Sequence, residues 1–467
     1  MKNFIAWRPL RRVSLLCLIS AVSPAFAAYT QYAATAEERH DEMMTYFDDH
    51  IEPTIPDSLD TWWSYKYMLG DGYYRDDLAK EGITLSLKFV TDSMGNVSGG
   101  ARQGFTYTGS MGFDMDADLE RLVGIPGADF YVSAVWRSGV SLSNRYIHNV
   151  FQTQQVYGGQ NLRLYAFYWR QELFEDQLEV KLGRIAQGDD FLSRPIYWSY
   201  VQNAFDGNPV SIFLNSPMYA YPNATWGAFF KYTPKQAPVY AQVGVYGGAK
   251  KPAQNRNSAH GLDWSFDYEN IFIIGQAGWT PELTIGNQEG LPGNYSMGGY
   301  HVIDDHPTFL QPPTIAGLPK TVRKADGLWG MYWMVDQMVY SNGVNSSGNK
   351  TGITPWFTVS LAPDERVNKM PLSFYGGIRF DAVLPSRKDD FLALGYVYGK
   401  FSDDFRKSQV IAGLSPQNFE SVVELTYMIQ VNQWLTFQPD IQYIINPGAA
   451  GKFGDALVLG FQSSVQF

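Results

Sequence analysis

The feature that most constrains this chain is a two-residue alternation of apolar and polar side chains, which is clearest at its C-terminal end. From Leu459 to Phe467, one parity is mainly large and apolar, and the other is glycine, glutamine or serine. Successive side chains of a β-strand point to opposite faces. This pattern therefore predicts a strand with an apolar environment on one side and water on the other.

Sixteen segments share this alternation, and an antiparallel barrel with both chain ends on the periplasmic side requires an even number. The segments are 82–92, 104–115, 128–139, 161–173, 177–185, 224–233, 237–248, 270–281, 293–302, 326–340, 352–363, 371–383, 389–402, 418–431, 434–445 and 455–467. Sixteen strands enclose an aqueous channel, whereas eight are filled by side chains. The sequence predicts an all-β fold, a transmembrane antiparallel β-barrel of sixteen strands, with fourteen or eighteen as alternatives.

The composition is typical of a barrel in lipid. Aromatic residues make up 15% of the chain and charged residues only 18%, yet no run of about 18 apolar residues could form a membrane helix. The alternative is a secreted soluble β-protein, such as a sandwich or a propeller. Strands of about ten residues and the aromatic residue Phe467 at the end of the last strand favour the outer-membrane barrel.

The first 27 residues have the order of a secretion signal. Four basic residues precede an apolar run at 13–22 and the small-residue site Ala25-Phe26-Ala27. Removing them would change the formal net charge from −10 to −14 and would also remove Cys17, the only cysteine. We therefore expect no disulfide, no thiolate metal site, no cofactor and no nucleic-acid partner.

These observations divide the chain into three parts. We expect a signal peptide at 1–27, a periplasmic leader with short helices at 28–81, and the barrel at 82–467. Helices are predicted within 35–50 and from Arg75 to Glu81. The expected location is the outer membrane of a Gram-negative bacterium, with outer-membrane lipid around the barrel.

Short motifs along the whole chain resemble the OprB-type carbohydrate-selective porins. They include Gly70-Asp71-Gly72 with Arg75, Asp118–Leu122, Leu182-Gly183-Arg184, Tyr221-Pro222-Asn223 and Gln438–Tyr443. The resemblance implies a sixteen-stranded barrel, assembled as a homotrimer, through which glucose-like monosaccharides diffuse passively into the periplasm. The family's usual Gly-Asp-Trp-Gly-Gly-x-Arg opening is here Gly-Asp-Gly-Tyr-Tyr-Arg.

A pore that prefers sugars needs hydroxyl-binding donors and acceptors together with flat aromatic rings. We predict that residues 186–222 fold into the barrel and form this constriction, although an ordinary external loop is the alternative. The candidate residues in this segment are Asp189, Asp190, Arg194, Trp198 and Asp206. Pairing of Arg194 with Asp189 or Asp190 would leave a nearly neutral ring suited to uncharged sugars.

Strand parity predicts which wall side chains face the lumen. They are Lys88, Arg137, Arg163, Glu179, Lys181, Tyr240, Gln242, Arg379, Asp381, Glu420, Glu424 and Asp440. Of these, Arg137, Arg163, Arg379 and Glu424 join the candidate constriction. Parity turns Arg184 outward, and we expect a β-bulge to redirect it into the pore.

Three other functions remain open at this stage: a general diffusion porin without a sugar site, an adhesive barrel, and an outer-membrane enzyme. We expect no enzyme, because no histidine lies beside a serine on a lipid-facing strand. The group His301, Asp304, Asp305 and His306 has the residue types of a metal site. A polar external loop is the favoured interpretation of this group.

Overall fold

The protein is a closed antiparallel β-barrel, seen in a computed structural model that describes residues 59–70, 73–205, 207–248, 260–262, 264–266, 268–313 and 321–467. The strands are β1 Ile83–Ser98, β2 Gly104–Asp118, β3 Ala128–Gly139, β4 Leu162–Leu173, β5 Leu178–Ile185, β6 Thr225–Tyr232, β7 Val239–Gly247, β8 Ile271–Trp279, β9 Glu282–Ile285, β10 Gln288–Pro307, β11 Lys324–Gln337, β12 Tyr340–Val344, β13 Lys350–Leu361, β14 Leu372–Asp381, β15 Phe391–Lys400, β16 Phe419–Gln430, β17 Leu435–Ile445 and β18 Ala456–Gln466.

The barrel closes because β1 pairs with both β2 and β18. Asp92 of β1 lies opposite Thr108 of β2 and opposite Gln462 of β18. The short strands β9 and β12 pair only with one end of β10 and of β13, so sixteen strands form the wall. The predicted sixteen-stranded antiparallel barrel is confirmed, and all sixteen predicted segments overlap an observed wall strand.

Alternation within the strands follows the predicted parity. In β18 the side chain of Leu459 is 42% exposed on the outer surface, whereas its neighbour Val458 is fully buried inside the barrel. Apolar side chains also cover the outer surface on other strands, as at Trp136, Phe357 and Tyr396. A wall with an apolar exterior is what a lipid environment requires of a barrel.

Short helices flank the barrel or lie in its loops. They are α1 Leu59–Ser64, α2 Tyr73–Lys80, α3 Leu119–Val123, α4 Gln187–Asp190, α5 Val210–Asn215 and α6 Asp403–Ile411, together with a π-helical turn at Ser143–Ile147 and 3₁₀ turns at Pro195–Ser199 and Pro447–Ala449. Within the described ranges, no helix has the length and apolarity needed to cross a membrane. The helix predicted at 75–81 corresponds to α2, whereas the predicted signal peptide and the helix predicted within 35–50 lie outside the described residues.

The segment before the barrel is attached to it near the start of β17. Trp62 and Trp63 of α1 lie 4.7 and 5.4 Å from Trp434, measured between ring centroids. The backbone N–H of Met68 donates to the carbonyl of Gln466 at the end of β18. Aromatic packing and one backbone hydrogen bond therefore place α1 against the end of the barrel where the last strand finishes.

Candidate channel constriction

The loop between β5 and β6, residues 186–224, folds into the barrel and packs against the inner wall. Its buried residues Phe191, Leu192, Tyr197, Tyr200 and Phe205 belong to a core cluster that also contains wall side chains. The wall members of this cluster include Phe229, Phe272, Tyr332, Trp356 and Tyr375. The inward fold predicted for 186–222 is thus present, and its hydrophobic core explains why the loop does not extend into water.

Polar contacts fix this loop to strands far away in the sequence. Trp356 donates its indole N–H to the Tyr200 hydroxyl at 2.8 Å, and that hydroxyl donates to the Leu394 carbonyl at 3.1 Å. At the other end of the loop, Asn215 exchanges two hydrogen bonds with the backbone of Met370. Buried polar groups that find partners in this way hold one loop geometry.

A second loop, residues 140–161 between β3 and β4, also folds inward, which the sequence analysis did not predict. The backbone N–H groups of Val150 and Phe151 donate to the Glu420 carboxylate at 2.9 and 2.7 Å. Gln442 of β17 donates to the carbonyl of Thr153 at 3.0 Å. Glu420 also accepts from the N–H of Gly448 at 2.7 Å, so one buried carboxylate holds two loops.

The two inward loops are hydrogen-bonded to each other, and we call residues 140–161 and 186–224 together the collar. The N–H of Asn203 donates to the carbonyl of Gln152 at 2.9 Å, and the N–H of Gln155 donates to the carbonyl of Val201 at 3.1 Å. Glu424 of β16 accepts from the N–H of Val201 at 2.7 Å. The collar therefore occupies the lumen and is anchored to strands from β8 to β17.

The wall formed by β2 to β4 carries polar and aromatic side chains, and the two ends of loop 186–224 add further polar and aromatic residues to them. We call this set the polar wall. It comprises Ser110, Asp114, Tyr131, Arg137, Arg163, Tyr165, Asp189, Tyr221 and Asn223.

Tyrosine rings organise the polar wall. Tyr165 and Tyr221 meet edge to face at 4.9 Å between centroids, and the Arg137 guanidinium lies 4.7 Å from the Tyr221 centroid. Tyr131 stacks on Tyr168 at 5.0 Å and donates its hydroxyl to Asp114 at 2.7 Å. These contacts place ring faces beside hydrogen-bonding groups, the combination that binds the faces and the edges of a sugar.

The carboxylates of α4 are engaged with this wall rather than with Arg194. Asp189 accepts from the Tyr165 hydroxyl, and Asp190 accepts from Lys181 at 2.6 Å. Arg194 is buried and instead lies 3.6 Å from Asp336 and donates to the Ser296 hydroxyl at 2.6 Å. The predicted pairing of Arg194 with Asp189 or Asp190 is therefore wrong.

Enclosure within the barrel changes the ionisation of Asp189. The surrounding protein disfavours the charged carboxylate and raises the pKa of Asp189 to about 7, with the neighbouring Asp190 acting in the same direction. Channel water nevertheless reaches the Asp189 side chain, which is exposed. We therefore expect this carboxyl to ionise between its ordinary pKa of about 4 and about 7.

Arg184 does not enter the pore through a bulge in its own strand. The register of β5 runs without a shift on both sides, with Arg184 opposite Phe167 and Trp226. The bulge lies one strand away in β4, where Tyr165 is the extra residue between the Ser133–Ala166 and Ala134–Leu164 pairs. Arg184 shares the parity of Leu182 and donates to the carbonyl of Gly261, so the predicted redirection is wrong.

The remaining candidate residues have different positions. Glu424 and Arg379 hold the collar, since Arg379 donates to the Ser199 hydroxyl at 3.1 Å while pairing with Asp381 at 2.6 Å. Trp198 is 54% exposed on the surface of the inward loop. Asp206 lies outside the described residues.

Sequence reasoning missed most of the tyrosines and the whole contribution of loop 140–161. Parity does place Tyr131 on the inner face, because it alternates with Val132 and Phe130, but it was not among the candidate lumen residues. Tyr221 and Asn223 belong to a motif that was noticed only as a resemblance. In the part of the chain that the structure describes, no group of three or more acidic, histidine or cysteine side chains could hold a metal ion.

A closed β-barrel with an apolar exterior, two loops folded into its lumen and a polar inner wall defines an outer-membrane channel of the porin class. Residues 102–467 match the family model described as "Carbohydrate-selective porin, OprB family". The chain belongs to this family, which is a family of channels and places it in the Gram-negative outer membrane.

Individual relatives agree with this assignment. Porin B of Pseudomonas aeruginosa is 28% identical over 435 residues, which cover 86% of this chain and 91% of that protein. The putative porin QuiX of Acinetobacter baylyi is 23% identical, covering 87% of this chain and 94% of that protein. The high-pH structure of Pseudomonas putida OprB superposes with a TM-score of 0.78 at 25% identity, covering 87% of this chain and all of that chain.

Proposed function

We propose that the collar and the polar wall together form the constriction at which this porin selects monosaccharides. Solutes enter from outside the cell, lose part of their hydration between the two surfaces and diffuse into the periplasm without an energy source. The observation that carries the proposal is the pairing of tyrosine rings with fixed donors and acceptors along one side of a narrowed lumen. This arrangement supplies weak, multiple contacts, which a channel needs for both binding and release.

The selective step is passive in this proposal, and the protein is not an enzyme. The Asp189 and Asp114 carboxylates accept hydroxyl hydrogens, and the Arg163 guanidinium donates to hydroxyl oxygens. Trp198 offers an exposed ring on the collar side of the channel. Support for a sugar rather than an amino acid comes from the mixture of ring faces with neutral and charged hydrogen-bonding groups.

Single-channel conductance of the purified protein in planar bilayers tests the proposal. Glucose, a disaccharide and an amino acid are titrated separately against a steady ionic current. We expect saturable block by glucose and no block by the amino acid at the same concentration. A current unaffected by all three solutes would contradict the sugar site and would instead identify a general diffusion pore.

The oligomeric state stays a prediction. The homotrimer expected from the resemblance is tested by mass measurement of the detergent-solubilised protein, corrected for bound detergent. A mass of three chains would support it, and a mass of one chain would refute it without changing the proposed constriction, because the collar and the polar wall belong to one chain.

A further inference from the structure

The β-bulge in β4 brings Tyr165 to the inner side of the barrel wall. Tyr165 is the extra residue of the bulge and has no partner in the register with β3. The next residue, Ala166, lies opposite Ser133, and Tyr165 and Ala166 are both buried in one cluster with Val135 and Ala186. Regular alternation would turn two successive side chains to opposite faces. The bulge therefore re-aims Tyr165 while the rest of the strand keeps its pairing.

The Tyr165 side chain contacts both ends of loop 186–224. Its hydroxyl donates to Oδ2 of Asp189 at the start of this loop. Its ring meets Tyr221, near the end of the loop, edge to face at 4.9 Å between centroids. Tyr221 is also hydrogen-bonded to Ser110 of β2, at 3.0 Å between the hydroxyl oxygens. One side chain of the wall thus fixes a carboxylate and an aromatic ring of the polar wall.

This contact leaves part of the Asp189 carboxylate available to a solute. Oδ2 is the oxygen that accepts from Tyr165, and no other residue in the described ranges donates to this carboxylate. The Asp189 side chain is exposed to the channel, whereas Tyr165 is only 4% exposed. Tyr165 can therefore act on a passing solute through Asp189 rather than by direct contact.

The backbone that carries Asp189 is held by other residues. Asn208 donates its side-chain amide to the carbonyls of Gly188 and Phe191 at 2.9 and 3.0 Å. The N–H of Gly188 donates to the carbonyl of Tyr219 at 3.0 Å. Loss of the Tyr165 hydroxyl should therefore change the carboxyl group and leave the course of the loop as it is.

Charged groups on three elements face the Asp189 carboxyl. Asp190 of α4 and Asp114 of β2 repel its negative charge, and Lys181 of β5 attracts it. Burial raises the pKa of Asp189, whereas the hydrogen bond from Tyr165 lowers this pKa because it favours the ionised form. The Tyr165 hydroxyl thus extends the pH range in which Asp189 is ionised.

We propose that Tyr165 is a positioning residue for sugar binding at the constriction and acts through Asp189. Its hydroxyl directs one carboxylate oxygen and leaves the other to accept a hydroxyl hydrogen of the sugar. The inference rests on the proposed function and assigns a role within it to a buried residue. An ionised carboxylate that is held in one orientation is a stronger acceptor than a neutral or rotating carboxyl group.

Tyr165→Phe removes the hydroxyl and keeps the ring against Tyr221. Tyr443→Phe is the matched control, because Tyr443 donates the same kind of hydrogen bond to Asp455 at 3.1 Å and is exposed on the outer face of β17. Reversal potentials across a salt gradient, recorded in planar bilayers from about pH 4 to about pH 9, give the midpoint at which cation selectivity rises. The midpoint should move up by about one pH unit in Tyr165→Phe and stay in place in Tyr443→Phe.

Glucose block at two pH values separates positioning from a structural role. At the wild-type midpoint, a shift of about one unit lowers the ionised fraction of Asp189 from one half to about one-tenth. Glucose should therefore block Tyr165→Phe about fivefold more weakly at this pH. About two units higher, block should return to within about twofold of wild type. Block that stays weak at the higher pH would overturn the proposal, because deprotonation does not restore a distorted site.

Asp189→Ala completes a cycle of single and double variants. It should weaken glucose block at both pH values, and adding Tyr165→Phe should cause no further loss, because Tyr165 acts through Asp189. A further loss in the double variant would show that Tyr165 acts by another route and would overturn the proposal. A shifted gel mobility before heating confirms that each variant is folded.

The outcomes separate this inference from the proposed function. If glucose blocks the wild type, and Tyr165→Phe keeps the wild-type midpoint and the wild-type block, the positioning role is refuted and the sugar porin stands. If glucose does not block the wild type, both proposals fail.

Discussion

Replacing Glu420 with glutamine should release loop 140–161 from the barrel wall while leaving the barrel closed. The buried Glu420 carboxylate accepts the N–H groups of Val150, Phe151 and Gly448. Glutamine keeps one acceptor oxygen. Its NH₂ group takes the place of the second carboxylate oxygen and cannot accept the hydrogen bonds that this oxygen accepts in the wild-type protein. The strand itself is held by backbone pairing of β16 with β15 and β17, which does not depend on this side chain.

The magnitude follows from the number of hydrogen bonds lost. A hydrogen bond to a charged group contributes about 1.5–3 kcal/mol. Because Val150 contacts both oxygens, glutamine leaves one of the three N–H groups without an acceptor, and the anchoring of the loops weakens by about 1.5–3 kcal/mol. The carboxylate is fully buried, so solvent does not screen this loss. A change of this size is enough to populate conformations in which loop 140–161 leaves the lumen.

Single-channel recording and limited proteolysis measure the effect. The Glu420→Gln channel should show a larger and noisier current and weaker block by glucose, and a protease should cleave within 140–161. Glu365→Gln is the control, since Glu365 accepts the N–H of Asp403 at 2.6 Å between two outer loops and should leave the current unchanged. Unaltered conductance, block and protease resistance in Glu420→Gln would refute the anchoring role.

Further predictions concern the ionisation of Asp189, the docking of the segment before the barrel, and the ion pair that anchors the collar. Asp189 should gain negative charge as the pH rises from about 4 to about 7, so cation selectivity should rise over this window in wild type and stay flat in Asp189→Asn; parallel profiles would contradict this. Trp434→Ala should weaken the docking of Trp62 by about 3 kcal/mol, seen as protease cleavage within 59–70, and unchanged protection would contradict the docking. Asp336→Asn should destabilise the protein by about 3–5 kcal/mol in urea unfolding because it leaves Arg194 buried and unpaired, and adding Arg194→Gln should recover part of the loss; no recovery would show that the pair is not coupled.

The wall of the barrel could be predicted because each strand carries its own signal. In β18, Leu459 and Gln462 fall on opposite faces by parity alone, and the structure places them so. The inward course of the 186–222 loop was also predicted, from the polar residues and the prolines that the segment contains. The short strands β9 and β12 were missed because four or five residues are too few to show a clear alternation.

The partners of the lumen charges could not be predicted, because they depend on contacts between distant segments. Arg194 pairs with Asp336 across 142 residues of sequence rather than with the acids four and five residues away. Glu424 was placed on the inner face correctly, but nothing local indicates that it holds the backbone of Val201. Loop 140–161 was missed for the same reason, since Glu420 lies 270 residues beyond Val150.

This separation along the chain has a consequence for biogenesis. Neither inward loop can reach its final position until β16 has joined the sheet, because the carboxylates that hold Val150 and Val201 arrive only with that strand. During assembly the lumen is therefore wider than in the finished channel. The last strands, from β16 onward, both close the barrel and hold the loops that determine the width of the channel. The channel thus reaches its final width only when the barrel closes. A partly inserted intermediate is therefore permeable to larger solutes than the completed protein.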